Sequence, residues 1–118
     1  MTDPLLAAAL VGVGGSLGAT ARHAVGLRIE GRRSVVAVNA LGSLALGGVL
    51  AAPVGSAATA LLAVGFCGAF TTFSSFAVET VSTATGGEAD IAIGFAVANL
   101  VAALSAFLAG SAVVSAFA

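Results

Sequence analysis

The chain has 118 residues, 59% of them hydrophobic and 8% charged, with a formal net charge of −1 and a mean hydropathy of +1.16. These values exclude an ordinary soluble domain and identify a membrane protein. Spanning roughly 30 Å of hydrocarbon takes about 20 helical residues, so the length admits at most about four spans and no additional soluble domain.

The first apolar segment covers residues 4 to 25. The start, Met1-Thr2-Asp3-Pro4, lacks the positive charge of a signal peptide and the apolar run exceeds an h-region, which predicts a retained first helix. Gly14 and Gly18 form a small-xxx-small pair suited to close helix packing. Arg22 follows Pro4 by about 27 Å of ideal helix and can snorkel to the interface beside His23. The connection that follows holds Arg28, Glu30, Gly31, Arg32 and Arg33. All four basic residues of the chain are arginines between positions 22 and 33. The positive-inside rule therefore predicts a cytoplasmic first connection, an outer second connection, an inner third connection and outer termini. No longer basic cluster exists to support nucleic-acid binding.

The second segment, residues 34 to 52, carries Asn39 with Ser43 one turn further on the same face, and glycines at 42, 47 and 48. An asparagine in a span either bonds a neighbouring helix or turns its NH₂ toward an anion path. An uncharged bend around Pro53, Val54, Gly55 and Ser56 leads into the third segment, 57 to 83. This segment is longer than a span requires and contains GFCGAFTTFSSF at residues 65 to 76. Two glycines, four hydroxyls and four phenylalanines in twelve positions are unlike ordinary lipid-facing helix. Irregular backbone survives in hydrocarbon only against protein or around a hydrated path, so an interruption is expected here. Phe73 and Phe76 either pack in a core or present electropositive ring edges to an anion. Glu79 shares a helical face with Thr72, Ser75 and Ser82, and as an ionisable group late in a span it is either functional or simply reaches water at the helix end. Cys67, the single cysteine, reads as a small buried apolar residue and cannot form an intrachain disulfide.

After a third connection with Gly86, Gly87, Glu88 and Asp90 comes the fourth segment, 91 to 118. Its Asn99 stands alone on its face and predicts an interhelical hydrogen bond. The expected fold is thus an all-α membrane domain, residues 1–118, of four antiparallel neighbours with a broken third helix. There is one histidine, no Cys/His cluster, no carboxylate pair within a span and no phosphate-binding glycine loop with lysine, so enzymatic activity is not expected.

In chain order, GGSLGATARH at 14 to 23, VNALGSLALG at 38 to 47 and GFCGAFTTFSSF at 65 to 76 look like the three signatures of the small bacterial fluoride channels, the Fluc or CrcB family. The resemblance implies an antiparallel dimer in the bacterial inner (plasma) membrane that exports toxic cytoplasmic fluoride passively. It further implies fluoride-pathway roles for Asn39, Phe73, Ser74 and Phe76. Arg22 and Glu79 match recurring polar positions of the family. The backbone carbonyls of Gly68 and Thr71 would hold a structural, untransported sodium ion between subunits. His23 stands where an aromatic residue is common, and no fourth-helix contact is carried over. The arginine asymmetry favours one orientation, so the partner is either a second copy or an oppositely oriented homologue. Two other function classes compete. A proton-coupled small multidrug-type transporter requires a deep first-span carboxylate, which residues 5 to 21 lack. A noncatalytic assembly subunit would use Asn39 and the phenylalanines for packing alone.

Overall fold

The computed structural model describes residues 3–118. Met1 and Thr2, part of the expected uncharged start and of the 1–118 domain, lie outside the described residues. Among the described residues, four helical spans are long and apolar enough to cross a membrane: Pro4–Arg28, Arg32–Ala51, Ser56–Thr85 and Ala89–Phe117. The first begins sharply because Asp3 Oδ1 accepts from the Leu5 and Leu6 N–H groups at 2.7 and 3.4 Å, with Pro4 in the first turn. It ends with Arg28 in its last turn, where a cation faces the negative end of the helix dipole. Gly31, at φ 66°, makes the reversal into the second span.

The third span is assembled from pieces. Ser56–Ala58 is α-helical, Thr59–Cys67 is wound as a π-helix, and Gly68–Phe70 returns to α geometry. Thr71 is extended, with ψ 163°, and the helix resumes as Ser74–Thr85. A nine-residue π stretch is long, since π geometry is mostly confined to single turns. The interruption anticipated within residues 65 to 76 is thereby located at Thr71–Phe73.

Backbone contact through glycine organises the packing. Side-chain atoms at Gly14 or Gly18 would run into the Leu61 and Phe66 carbonyls, so the first span lies directly on the first half of the third. The second and last spans meet in the same way, with Gly47 against the Phe107 carbonyl and Gly110 against that of Leu44. This register sets those two spans parallel, which puts the first and third connections at one end of the bundle. The gain is van der Waals contact, the term that drives helix association where lipid removes any hydrophobic bias. Hydroxyls at Ser16, Thr20, Thr59 and Thr80 return to carbonyls four residues earlier and need no other partner.

Replacing Gly18 with alanine should destabilise the folded chain by about 1–3 kcal/mol through overpacking. Gly12→Ala, whose added carbon meets no atom within 4 Å, should leave stability unchanged or slightly raised. Thermal unfolding in detergent, followed by size-exclusion chromatography, checks the contrast.

Candidate functional site at the helix break

Opening a helix in hydrocarbon exposes peptide groups, and each needs a partner. Here the partner is chiefly Asn39, which projects from the second span and is buried. Its Oδ1 accepts the Thr72 N–H at 2.7 Å, and its Nδ2 donates to the Thr72 carbonyl at 3.0 Å. The peptide N–H can only donate and the carbonyl only accept, so this pair fixes which end of the amide is oxygen. The second Nδ2 hydrogen goes to Asn99 Oδ1 at 3.1 Å. Gly42, one turn beyond Asn39, permits the approach, because a side-chain carbon there would collide with the Thr71 methyl group.

The other loose ends are satisfied locally. Thr72 Oγ1 accepts the Ser75 N–H at 3.1 Å and so starts the resumed helix. Thr71 keeps its N–H and its hydroxyl on the Cys67 carbonyl, at 3.1 and 3.0 Å. The Thr71 carbonyl, turned out of the helix, accepts Arg22 Nη1 at 3.2 Å. Arg22 is half-buried, so part of its charge is directed into the bundle rather than wholly to the interface. Because the Thr72 N–H is committed to Asn39, the Gly68 carbonyl lacks the donor that would close its helical turn.

Two cavities meet at this clamp. One, of about 690 Å³, lies among the second, third and last spans and is lined by Asn39, Gly68, Thr71, Phe73, Phe76 and Asn99 among others. The second, of about 370 Å³, opens toward the arginine-bearing end and is lined by Arg22, His23, Ser34, Thr72 and Ser75 with apolar neighbours. Thr72 borders both. No carboxylate lines either cavity.

Phe73 and Phe76 lie 5.9 Å apart between ring centroids, and Phe76 lies 5.5 Å from Phe95 of the last span. The three rings form a tilted row, and Phe73 at its open end is 79% exposed. Of the residues singled out from sequence, Asn39, Gly68, Thr71, Phe73 and Phe76 share one cavity. Ser74 does not line it: its hydroxyl sits 3.4 Å from Thr72 Oγ1 and borders a separate cavity of about 240 Å³ with Ser75, Val78 and Glu79. The extended backbone at Thr71 also disconnects Thr72 from the helical face that carries Glu79.

Two site residues were not selected from sequence. Asn99 receives the hydrogen bond from Asn39, the interhelical role read for it, but it also lines the large cavity, and its Nδ2 donates to no described residue. The usable signal was that the chain holds only two asparagines, each within a span. Phe95 gave no such signal, since a phenylalanine in an apolar helix is unremarkable until its neighbour is known.

The clamp predicts slow exchange at one amide. Asn39→Ala should leave the Thr72 N–H and carbonyl without partners, costing about 1–3 kcal/mol per group. Hydrogen exchange at Thr72 should then accelerate well beyond that at Thr83, which lies outside the break.

Residues 9–111 match the family model described as CrcB-like protein, Camphor Resistance (CrcB). The chain is 54% identical over 108 residues to the fluoride-specific ion channel FluC 2 of Natronomonas pharaonis, covering 90% of this chain and 92% of that protein. It is 47% identical over 103 residues to FluC 2 of Haloarcula marismortui, covering 85% and 87%. Against FluC 2 of Rhodococcus jostii the identity is 40% over 101 residues, covering 82% and 89%.

Proposed function

This chain belongs to the CrcB-like family, and from that membership we propose that it is a passive fluoride-selective channel that exports cytoplasmic fluoride across the plasma membrane. The family is non-enzymatic. The observation that carries the reading at the site is the orientation of Asn99. Because its oxygen is held by Asn39, its NH₂ is free to donate into a cavity lined by two phenylalanines and no carboxylate.

Fluoride is small and strongly hydrated, so a dry path must replace its water with donors. Arg22, Ser34 and Ser75 supply positive charge and hydroxyls in the smaller cavity. Thr72 borders both compartments, and Asn99 with the rims of Phe73 and Phe76 offers partial positive charge in the larger one. Asn39 acts in this scheme by polarising and orienting Asn99, because both of its own N–H groups are engaged. Ser74 and Glu79 belong to a side compartment of the path. An inside-negative membrane potential expels an anion without any further energy source.

A second chain completes the site in this reading. Gly68 has ordinary helical dihedrals, φ −61° and ψ −37°, and an added side-chain carbon would meet nothing within 4 Å. Neither conformation nor packing inside one chain requires glycine there, although glycine costs about 1 kcal/mol in a helix. Close approach by a second copy accounts for it, as it does for the exposure of Phe73. An antiparallel dimer would bring two breaks together. The residues fit a structural sodium at that meeting point: the Gly68 carbonyl has lost its helical donor, and the Thr71 carbonyl retains a lone pair beside its bond from Arg22. Sodium would hold the two breaks in register by drawing these carbonyls together. The one-sided arginines favour a cytoplasmic first connection. The partner is a second copy or an oppositely oriented homologue.

Fluoride efflux from liposomes holding only this purified protein tests the proposal. Efflux is expected in sodium and should fall when a bulky organic cation replaces it. Asn99→Leu should slow efflux about ten- to a hundredfold, the range for losing donors to a charged partner, and Phe73→Ala should slow it as well. A folded dimer that releases no fluoride in sodium would sink the channel reading. Co-purification of differently tagged copies expressed without a homologue distinguishes the two kinds of dimer.

A further inference from the structure

An apolar groove of about 660 Å³ runs between the second and last spans. Val36, Ala37, Ile91, Gly94, Phe95 and Ala98 line it, with Arg32 and Arg33. The same two arginines also border a polar basin of about 820 Å³ on the end of the bundle, together with Arg28, Glu30 and Glu79. A charged basin and an apolar groove thus share a common rim.

That shape is complementary to an amphiphile with an anionic head. Three guanidinium groups face two carboxylates in the basin, and the groove itself carries two guanidinium groups and no acid. Glu88 and Asp90, nearby in sequence at the start of the last span, line neither cavity. Arg32 donates to Thr83 Oγ1 at 3.2 Å, which holds it at the rim, whereas the Arg33 side chain has no hydrogen bond or ion pair among the described residues. The register of the second and last spans places this rim where one end of the apolar bundle meets water, the depth of lipid phosphates. An inverted second copy would bring only Asp3 as an acidic side chain to this end, because its second connection is uncharged.

We propose that the rim and groove form a binding site for one anionic phospholipid, its phosphate on Arg33 and Arg32 and an acyl chain along Val36, Ile91, Gly94 and Ala98. The site borders the fluoride path at Phe95 and Glu79, but its lipid contacts are other residues and it does not depend on the channel reading. Gly94 leaves the groove open, since a side-chain carbon there would meet no atom within 4 Å outside its own turn of helix. A phosphodiester meets the guanidinium groups with paired oxygens, and the acyl chain removes the groove's apolar walls from contact with a disordered bilayer.

Native mass spectrometry of the full chain, released from micelles holding equal amounts of phosphatidylglycerol and phosphatidylcholine, tests the site. The wild type should retain phosphatidylglycerol preferentially. Arg33→Gln should reduce that retention about fivefold, the factor expected for one basic residue at a lipid surface. Gly94→Leu should reduce retention of both lipids. Equal retention of the two lipids by the wild type, or undiminished phosphatidylglycerol on Arg33→Gln, would overturn the proposal. So would full displacement of phosphatidylglycerol by millimolar inorganic phosphate, since that result would assign the basin to a free anion and leave the groove unused. Fluoride efflux by both variants should match the wild type, which keeps failure of the lipid site distinct from failure of the channel.

Discussion

The structure depends on one buried amide. Asn39 supplies both an acceptor and a donor to the peptide group of Thr72, and this substitutes for the helical bonds lost when the third span opens. In water the same opening would cost little, because solvent would take over the exposed groups. In hydrocarbon each unpartnered group costs several kcal/mol, so the break exists only where a side chain can meet it. The amide also transmits order outward, since its remaining hydrogen fixes Asn99 and thereby the direction of the NH₂ group in the cavity.

Close backbone contact makes that geometry reachable. Gly42 lets the Thr71 methyl lie against the second span, and Asn39 then reaches Thr72 with its short side chain. Gly47 and Gly110 set the second and last spans in parallel register, which brings Asn99 level with Asn39. A single added carbon at any of these glycines would move an amide by a distance comparable to the tolerance of a hydrogen bond. Helix packing and site chemistry are consequently one problem in this protein rather than two.

Among the described residues, no cation lines the large cavity. Arg22 is the one arginine that reaches the break, and it does so through the Thr71 carbonyl from the arginine-bearing end. Further in, a few amide and hydroxyl groups stand among the two phenylalanines and a largely aliphatic lining that includes Leu46, Val97 and Leu100. Most of the donors near it are already engaged, Asn39 with Thr72 and Asn99 and the Thr71 hydroxyl with Cys67, which leaves the Asn99 NH₂ group as the open amide donor. The other three arginines lie together around the polar basin at the end of the bundle.

Much of this was legible in the residues. Hydropathy and segment length identified four spans, because hydrocarbon thickness constrains them directly. The composition of residues 65 to 76 marked the break, since glycine and threonine in that density do not suit a lipid-facing helix. Arg22, Asn39, Gly68, Thr71, Phe73 and Phe76 were selected in advance, and the fold gathers the last five around one cavity. The position of Ser74 outside that cavity, the joining of Phe95 to the aromatic row and the pairing of Asn39 with Asn99 required coordinates. These depend on which turn of one helix lies beside which turn of another, and on a π-wound stretch that alters side-chain phase. The sequence alone determined that the chain spans a membrane, where it breaks and which polar groups are available, because those follow from local composition and the cost of exposing peptide groups to lipid. Tertiary structure decided which of those groups meet, because glycine contacts between distant spans set the register, and register is a property of no single segment.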